Sequence, residues 1–308
     1  MKVLDIIVLI AAVILLVFGS YVFLTLKFPS EILEYKVSNP SSNGMFSTSL
    51  SSNFMFYPNM RYQNSEISYR IESACGENKR KSVQEAFSIL SERTILSFKE
   101  AENGEIDILC SQIAPEVGQE DHFIAGEGGP AEIVNVTRYN IILKGKISLY
   151  RDEKCDDPYI ALHEILHSLG FDHNNNENSI MYSITSCNQE LDSYIIEEIR
   201  RLYSILSLPD VVMEKVEANK TGRYLSFKAV VANYGLKDAK NAKLSVLVGG
   251  EVVDEFDLED IQLGTKKSIE VTNLRVPRNS SNIIFSALIS DGNELSYENN
   301  KLELVLTE

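Results

Sequence analysis

The sequence predicts an α+β domain, preceded by one apolar helix and followed by a small all-β sandwich. Three observations predict it. Ile6 to Leu26 is a run of twenty-one residues without a charge. From about residue 54 to 208, short strand-like runs alternate with segments of helical period, and beyond 208 the period changes from 3.6 to 2. The 308 residues suffice for two domains of ordinary size beyond the N-terminal run. A net charge of −15 repels nucleic-acid backbones, so nucleic acid is not an expected partner. The composition is that of a folded chain, with 44% hydrophobic and 24% charged residues and no long low-complexity tract.

The apolar run, flanked by Lys2, Asp5 and Lys27, is long enough as a helix to cross a hydrocarbon layer of about 30 Å. Residues 1–28 are expected to be an uncleaved signal-anchor. A cleaved signal peptide would use Val17-Phe18-Gly19, but the run stays apolar through Tyr21 to Leu26 instead of turning polar. Lys2 and Lys27 nearly balance, so other features must set the orientation. Residues 29–53 read as a linker, rich in Ser and Asn from 37 onward. The four cysteines, Cys75, Cys110, Cys155 and Cys187, lack CxxC spacing and suit two disulfides. Cys75 with Cys110 and Cys155 with Cys187 is the expected pairing, one of three that sequence alone does not choose between. With sequons at Asn135, Asn219 and Asn279, they point outward: a single-pass protein of the cell membrane whose folded part lies on the extracellular side.

In residues 54–208, Ile67, Tyr69 and Ile71 alternate with Ser68 and Arg70 as in a strand. Ser82 to Glu85 reads as a capping box opening a helix with apolar positions Val83, Phe87, Leu90, Leu96 and Phe98. Strands are expected at Ile106–Leu109 and within Ile141–Tyr150. A helix is expected from Asp157, with Pro158 at its first position, to Gly170. Another covers about Asp192 to Leu206, with Ile196, Ile199, Leu202, Tyr203 and Leu206 on one face. Pro209-Asp210 closes the domain. In residues 209–308, Tyr224–Val231, Leu244–Val248, Ser268–Val271, Ile283–Ile289 and Leu302–Leu306 read as strands separated by turns such as Gly249-Gly250 and Asn299-Asn300.

The chemistry lies in the string HEILHSLGFDH. His163 and His167, four apart, project from one helical face and can share a zinc ion. Glu164 beside the first ligand can reach the water that the metal activates, take its proton and pass it to a leaving amine. Gly170 stops the helix, and the turn returns His173 as third ligand. Three neutral nitrogens leave a coordination position open, as a catalytic rather than structural zinc requires. HExxH alone is a weak signal. The longer HExxHxxGxxH arises by chance on the order of once in several hundred thousand sequences, and it takes three of the chain's four histidines.

With Asn178-Ser-Ile-Met181-Tyr182 downstream, this string resembles the metzincin zinc endopeptidases, in their matrixin branch, whose signature it is when a methionine turn follows. Ala86-Phe87 with Leu96-Ser-Phe98, and Ile147-Ser-Leu-Tyr150, resemble the first helix of matrixins and the strand before their active-site helix. The resemblance implies a mixed twisted sheet with an active-site helix, Met181 as a floor beneath the metal, protein or peptide substrates, and peptide-bond hydrolysis. The sequence departs from the family at Asn174, where matrixins carry serine, and at Ser183, where proline usually follows Met-Tyr and astacins place a tyrosine ligand. Only His122 remains for the second, structural zinc of matrixins, so a single zinc is expected. No cysteine lies in residues 29–53 to act as a matrixin-type cysteine switch.

Gly126 to Ala131 precedes a strand at Ile133–Val136, whose counterpart in metzincins edges the cleft; a plain loop is the rival reading. Asp152, Glu153, Asp156 and Asp157 offer oxygens for calcium, although Asp157 is better explained as a helix N-cap and the others as a solvated loop. Asn233-Tyr-Gly235, Ala239, Ala242, Leu263-Gly264 and Glu298-Asn299-Asn300 resemble the immunoglobulin-like CARDB modules of prokaryotic cell surfaces. That resemblance implies spacing or adhesion, with a surface protein or glycan as partner. The expected activity is a zinc metalloendopeptidase acting on extracellular or cell-surface proteins. The contrasting expectation is an adhesion or binding protein with an inactive protease domain.

Overall fold

A computed structural model of the protein describes residues 54–114, 124–278, 280, 282–290 and 292–305. The expected anchor and linker, His122 and the Asn279 sequon lie outside the described residues. Among the described residues no helix is long and apolar enough to cross a membrane. The Asn135 and Asn219 sequons lie on exposed strand positions.

The N-terminal domain is built on a mixed sheet of β1 (Met60–Tyr62), β2 (Glu66–Ile71), β3 (Ser97–Glu100), β4 (Ile106–Cys110), β5 (Gly126–Asn135) and β6 (Asn140–Leu149). Strands β1, β6, β4, β2 and β3 run parallel in that order. On the opposite edge of β6, β5 pairs antiparallel, and no other strand among the described residues pairs with its outer edge. Helix α1 (Glu77–Arg93) presents Val83, Ala86, Phe87 and Leu90 to the core, where Phe87 stacks between Tyr69 and Phe98. It starts earlier than the capping box suggests, since Ser82 lies mid-helix and donates back to the Asn78 carbonyl. Thr94 ends it, with its hydroxyl donating to Leu90 O and accepting from Leu96 N. Phe98 therefore belongs to β3 and not to the helix.

Helix α2 (Tyr159–Ser168) is buried from Ala161 to Ser168, because the sheet, α1 and β5 enclose it. Asp157 does not cap it. Glu153 does, its Oε1 accepting from Ile160 N at 2.8 Å and Ala161 N at 3.1 Å. Gly170, at φ +100°, reverses the chain after the helix. Helix α3 (Ser193–Tyr203) is fastened at its end by Arg61, which donates to the carbonyls of Leu202 and Ile205 and lies 4.5 Å above the Tyr203 ring. The disulfides are Cys75–Cys110 and Cys155–Cys187.

The C-terminal domain is a two-sheet sandwich. One sheet orders β10 (Glu251–Ile261), β9 (Ala239–Val248), β12 (Asn282–Leu288) and β13 (Lys301–Val305); the other orders β11 (Lys266–Arg275), β8 (Tyr224–Asn233) and β7 (Val211–Thr221). Phe227 and Phe285 meet edge to face between the sheets. Strands β7 and β10 escape the sequence pattern because charged side chains line their solvent faces and dilute the alternation. A separate apolar cluster, holding Val136 and Ile141 of the first domain with Leu236 and Leu263 of the second, joins the two.

Candidate active site

Helix α2 places His163 and His167 one turn apart, and the Gly170 turn brings His173 over them. The three Nε2 atoms form a triangle with sides of 3.0, 3.1 and 3.2 Å. The Nδ1 of His163 donates to Ile180 O at 2.5 Å and that of His167 to Phe171 O at 2.8 Å. Each of these rings therefore carries its proton on Nδ1 and turns a bare Nε2 lone pair inward. Lone pairs this close repel one another unless a cation lies among them, and three imidazole nitrogens converging in this way suit a zinc ion with one position left open. Burial holds His163 at a pKa of about 3 and His167 at about 4, so both stay neutral, as metal ligands must. Phe56, from the segment bridged to Phe171, stacks on the His167 ring at 5.6 Å.

Glu164 is 5% exposed and lies under β5. A Cβ at Gly126 would come within 2.7 Å of its Cγ, and one at Gly128 within 2.2 Å of its carbonyl oxygen, so only glycine lets the strand lie this close. The glycines are thus part of β5 rather than a loop before it. Burial, and then the nearby charge of Glu127, raise the Glu164 carboxyl to a pKa of about 8. Glu127 in turn accepts the Tyr150 hydroxyl at 2.7 Å.

Met181 is fully buried in the turn that supplies Ile180 O to His163. The departure at Asn174 has a structural role that the sequence did not reveal. Its backbone N–H donates to Met181 O at 2.9 Å, and its side-chain amide donates to Ser179 Oγ at 2.6 Å and to the Tyr194 hydroxyl at 2.9 Å. Ser179 donates to Asp192 and accepts from Met181 N. The loop of the third histidine, the methionine turn and the start of α3 are therefore one hydrogen-bonded unit. The spacing of HExxHxxGxxH pointed to the three histidines that the structure brings together; only the odd residue at 174 hinted at this unit. Cys155–Cys187 joins the segment before α2 to the segment after the methionine turn. The acidic group offered for calcium does not gather: among the described residues the three histidines are the one set of three or more His, Cys, Asp or Glu placed to hold an ion.

Residues 61–204 match the Matrixin peptidase family and residues 208–303 match CARDB. Stromelysin-2 of Rattus norvegicus is 29% identical over 194 residues, which are 55% of this chain and 40% of that protein. Stromelysin-1 of Mus musculus is 24% identical over 176 residues, 52% of this chain and 36% of that protein. The chain thus spans well under half the length of these relatives. Among solved structures, a domain of a Methanosarcina acetivorans protein described as a putative cell surface protein aligns with 33% of this chain and 94% of its own at 19% identity and a TM-score of 0.29. A CARDB domain from Pyrococcus furiosus, solved in complex with di-metal ions, aligns with 32% of this chain and 90% of its own at 14% identity and a TM-score of 0.26.

Proposed function

We propose that this chain, with a matrixin domain at residues 61–204 and a CARDB domain at 208–303, is a zinc-dependent metalloendopeptidase that cleaves extracellular or cell-surface proteins. The carrying observation is the triangle of converging Nε2 atoms on His163, His167 and His173 beside the buried carboxyl of Glu164. These residues would hold one zinc ion, which supplies Lewis-acid polarisation of a carbonyl and acidifies water. Glu164 takes the proton of the attacking water and delivers it to the departing amine. The free outer edge of β5 runs beside Glu164 and offers main-chain groups to an extended peptide, which favours an endopeptidase. Met181 forms the apolar floor of the site. Ile6 to Leu26, with the two disulfides, supports a membrane anchor and an extracellular catalytic domain. The CARDB domain serves for spacing or for binding a surface protein or glycan.

The test is cleavage of a quenched-fluorescent peptide library by the detergent-purified full chain, beside Glu164→Ala, with zinc quantified in both. One zinc per chain in each and cleavage by the wild type alone is the expected result. A Glu164→Ala variant that still cleaves at the wild-type rate removes Glu164 from the mechanism. Zinc without cleavage in the wild type transfers the function to binding by the sandwich.

A further inference from the structure

Strand β5 is poorly equipped to hold itself in place. No side chain between Gly126 and Asn135 is fully buried. Its ladder to β6 is irregular on either side of Glu132, next to Pro130, which has no N–H to give. Among the described residues its outer edge is unpaired, and its glycines bring no side chains to pack. One end is fixed by the close contact of Gly126 and Gly128 with Glu164.

The other end is fixed by the second domain. Val134 and Val136 pack with Tyr139, Ile141 and Leu143 against Tyr234, Leu236, Leu263 and Leu295 of the sandwich. Val136, 3% exposed, is the buried anchor that follows the strand. Gly264, at φ +71°, approaches so closely that a Cβ there would lie 2.4 Å from Val134 Cγ1. The sandwich cannot swing away from this seat freely, because the connecting segment is stitched to it: Leu236 N donates to Leu208 O at 2.8 Å, Tyr234 N to Asp210 O at 2.9 Å and Leu295 N to Pro209 O at 2.9 Å.

We infer that the sandwich is a working part of the cleft: Leu236 and Leu263 are positioning residues that act through Val134 and Val136 to hold β5 where a substrate strand must pair. This rests on the endopeptidase reading for its catalytic consequence, but its mechanical half stands apart from it. Loss of the buttress lets β5 fray, so extended substrates pair less well while His163, Glu164 and His167, held by α2, and His173, held by the loop bonded to the methionine turn, stay in place.

The experiment compares the full wild-type chain with Leu236→Ala/Leu263→Ala, and with Ile283→Ala, a truncation deep in the sandwich core and away from the junction. Zinc content, KM and kcat on a long peptide, and amide exchange across β5 are measured in each. The double variant is expected to raise KM roughly threefold to tenfold with zinc and kcat unchanged, and to speed exchange in Ile133–Asn135 by about tenfold. Ile283→Ala is expected to lower the melting temperature without moving KM. Unchanged β5 exchange in the double variant overturns the inference, as does faster exchange with a wild-type KM or an equal KM rise in Ile283→Ala. A wild-type chain that binds zinc and cleaves nothing overturns the endopeptidase reading, and the exchange comparison alone then decides whether the sandwich holds the strand.

Discussion

Two polar clusters, one in each domain, are built on opposite terms. In the sandwich, Asn233 is fully buried and every side-chain bond it can make is made: Oδ1 accepts from Asp210 N and Gly235 N, and Nδ2 donates to Lys237 O and Ile261 O. In the first domain, His163 and His167 turn bare Nε2 atoms toward each other and toward Nε2 of His173. Asn233 secures a turn, and its full set of bonds is why it needs nothing from outside. The histidines are held in place from behind, by Ile180 O and Phe171 O, so that their inner faces stay unsatisfied. The contrast teaches where to expect a ligand: a polar group that the fold positions but does not satisfy is reserved for something else.

Four measurements break or sharpen that contrast. His167→Ala should abolish both cleavage and metal-dependent stabilisation. With free zinc at about a thousand times Kd, the wild type gains about 4 kcal/mol and the variant none of it, as read from melts with and without chelator. Asn233→Ala should do the reverse. It leaves four backbone groups without partners and destabilises the sandwich by about 4 kcal/mol, at roughly 1 kcal/mol per lost bond, while zinc stoichiometry stays at one.

The third concerns Glu164 in metal-free protein. Its folded pKa of about 8 stands above the ordinary 4.5, so its contribution to stability is fully present below pH 4.5 and is lost as the pH rises through 8. Glu164→Gln has no such loss. The melting temperature of the variant relative to wild type should therefore climb between pH 5 and pH 8.5, and a pH-independent difference would show that burial does not strain the carboxylate. The smallest effect is expected at Asn174→Ser, which restores the usual matrixin residue but is too short to span both Ser179 and Tyr194. Zinc affinity should weaken by about tenfold with Glu164 chemistry intact, as measured by competition with a chelating dye.

What the sequence revealed follows from the range of the interactions involved. The three histidines are brought together by helical spacing and one glycine turn within eleven residues, so the string carries its own geometry. The amphipathic α3 was legible for a similar reason, whereas the disulfide pairing, across 35 and 32 residues, was one of three that the sequence left open. Strand β5 was not, because a run of glycines reads locally as a loop and becomes a strand only when β6 pairs with it and α2 lies close against it. Glu153, taken for a solvated acid, caps α2 from seven residues away in sequence. Strands β7 and β10 hide behind outward charges, and the domain junction joins positions more than ninety residues apart, which no local period encodes.

The bridge between Cys155 and Cys187 closes a ring around the whole metal-binding stretch, with all three histidines, Glu164, Asn174 and Met181 inside it. A peptidase of the kind proposed would meet its own copies, and residues 183–186, between the methionine turn and the bridge, are largely exposed. A single cut anywhere in that ring separates nothing. A chain opened there stays joined through Cys155–Cys187, where an unbridged chain would release a fragment.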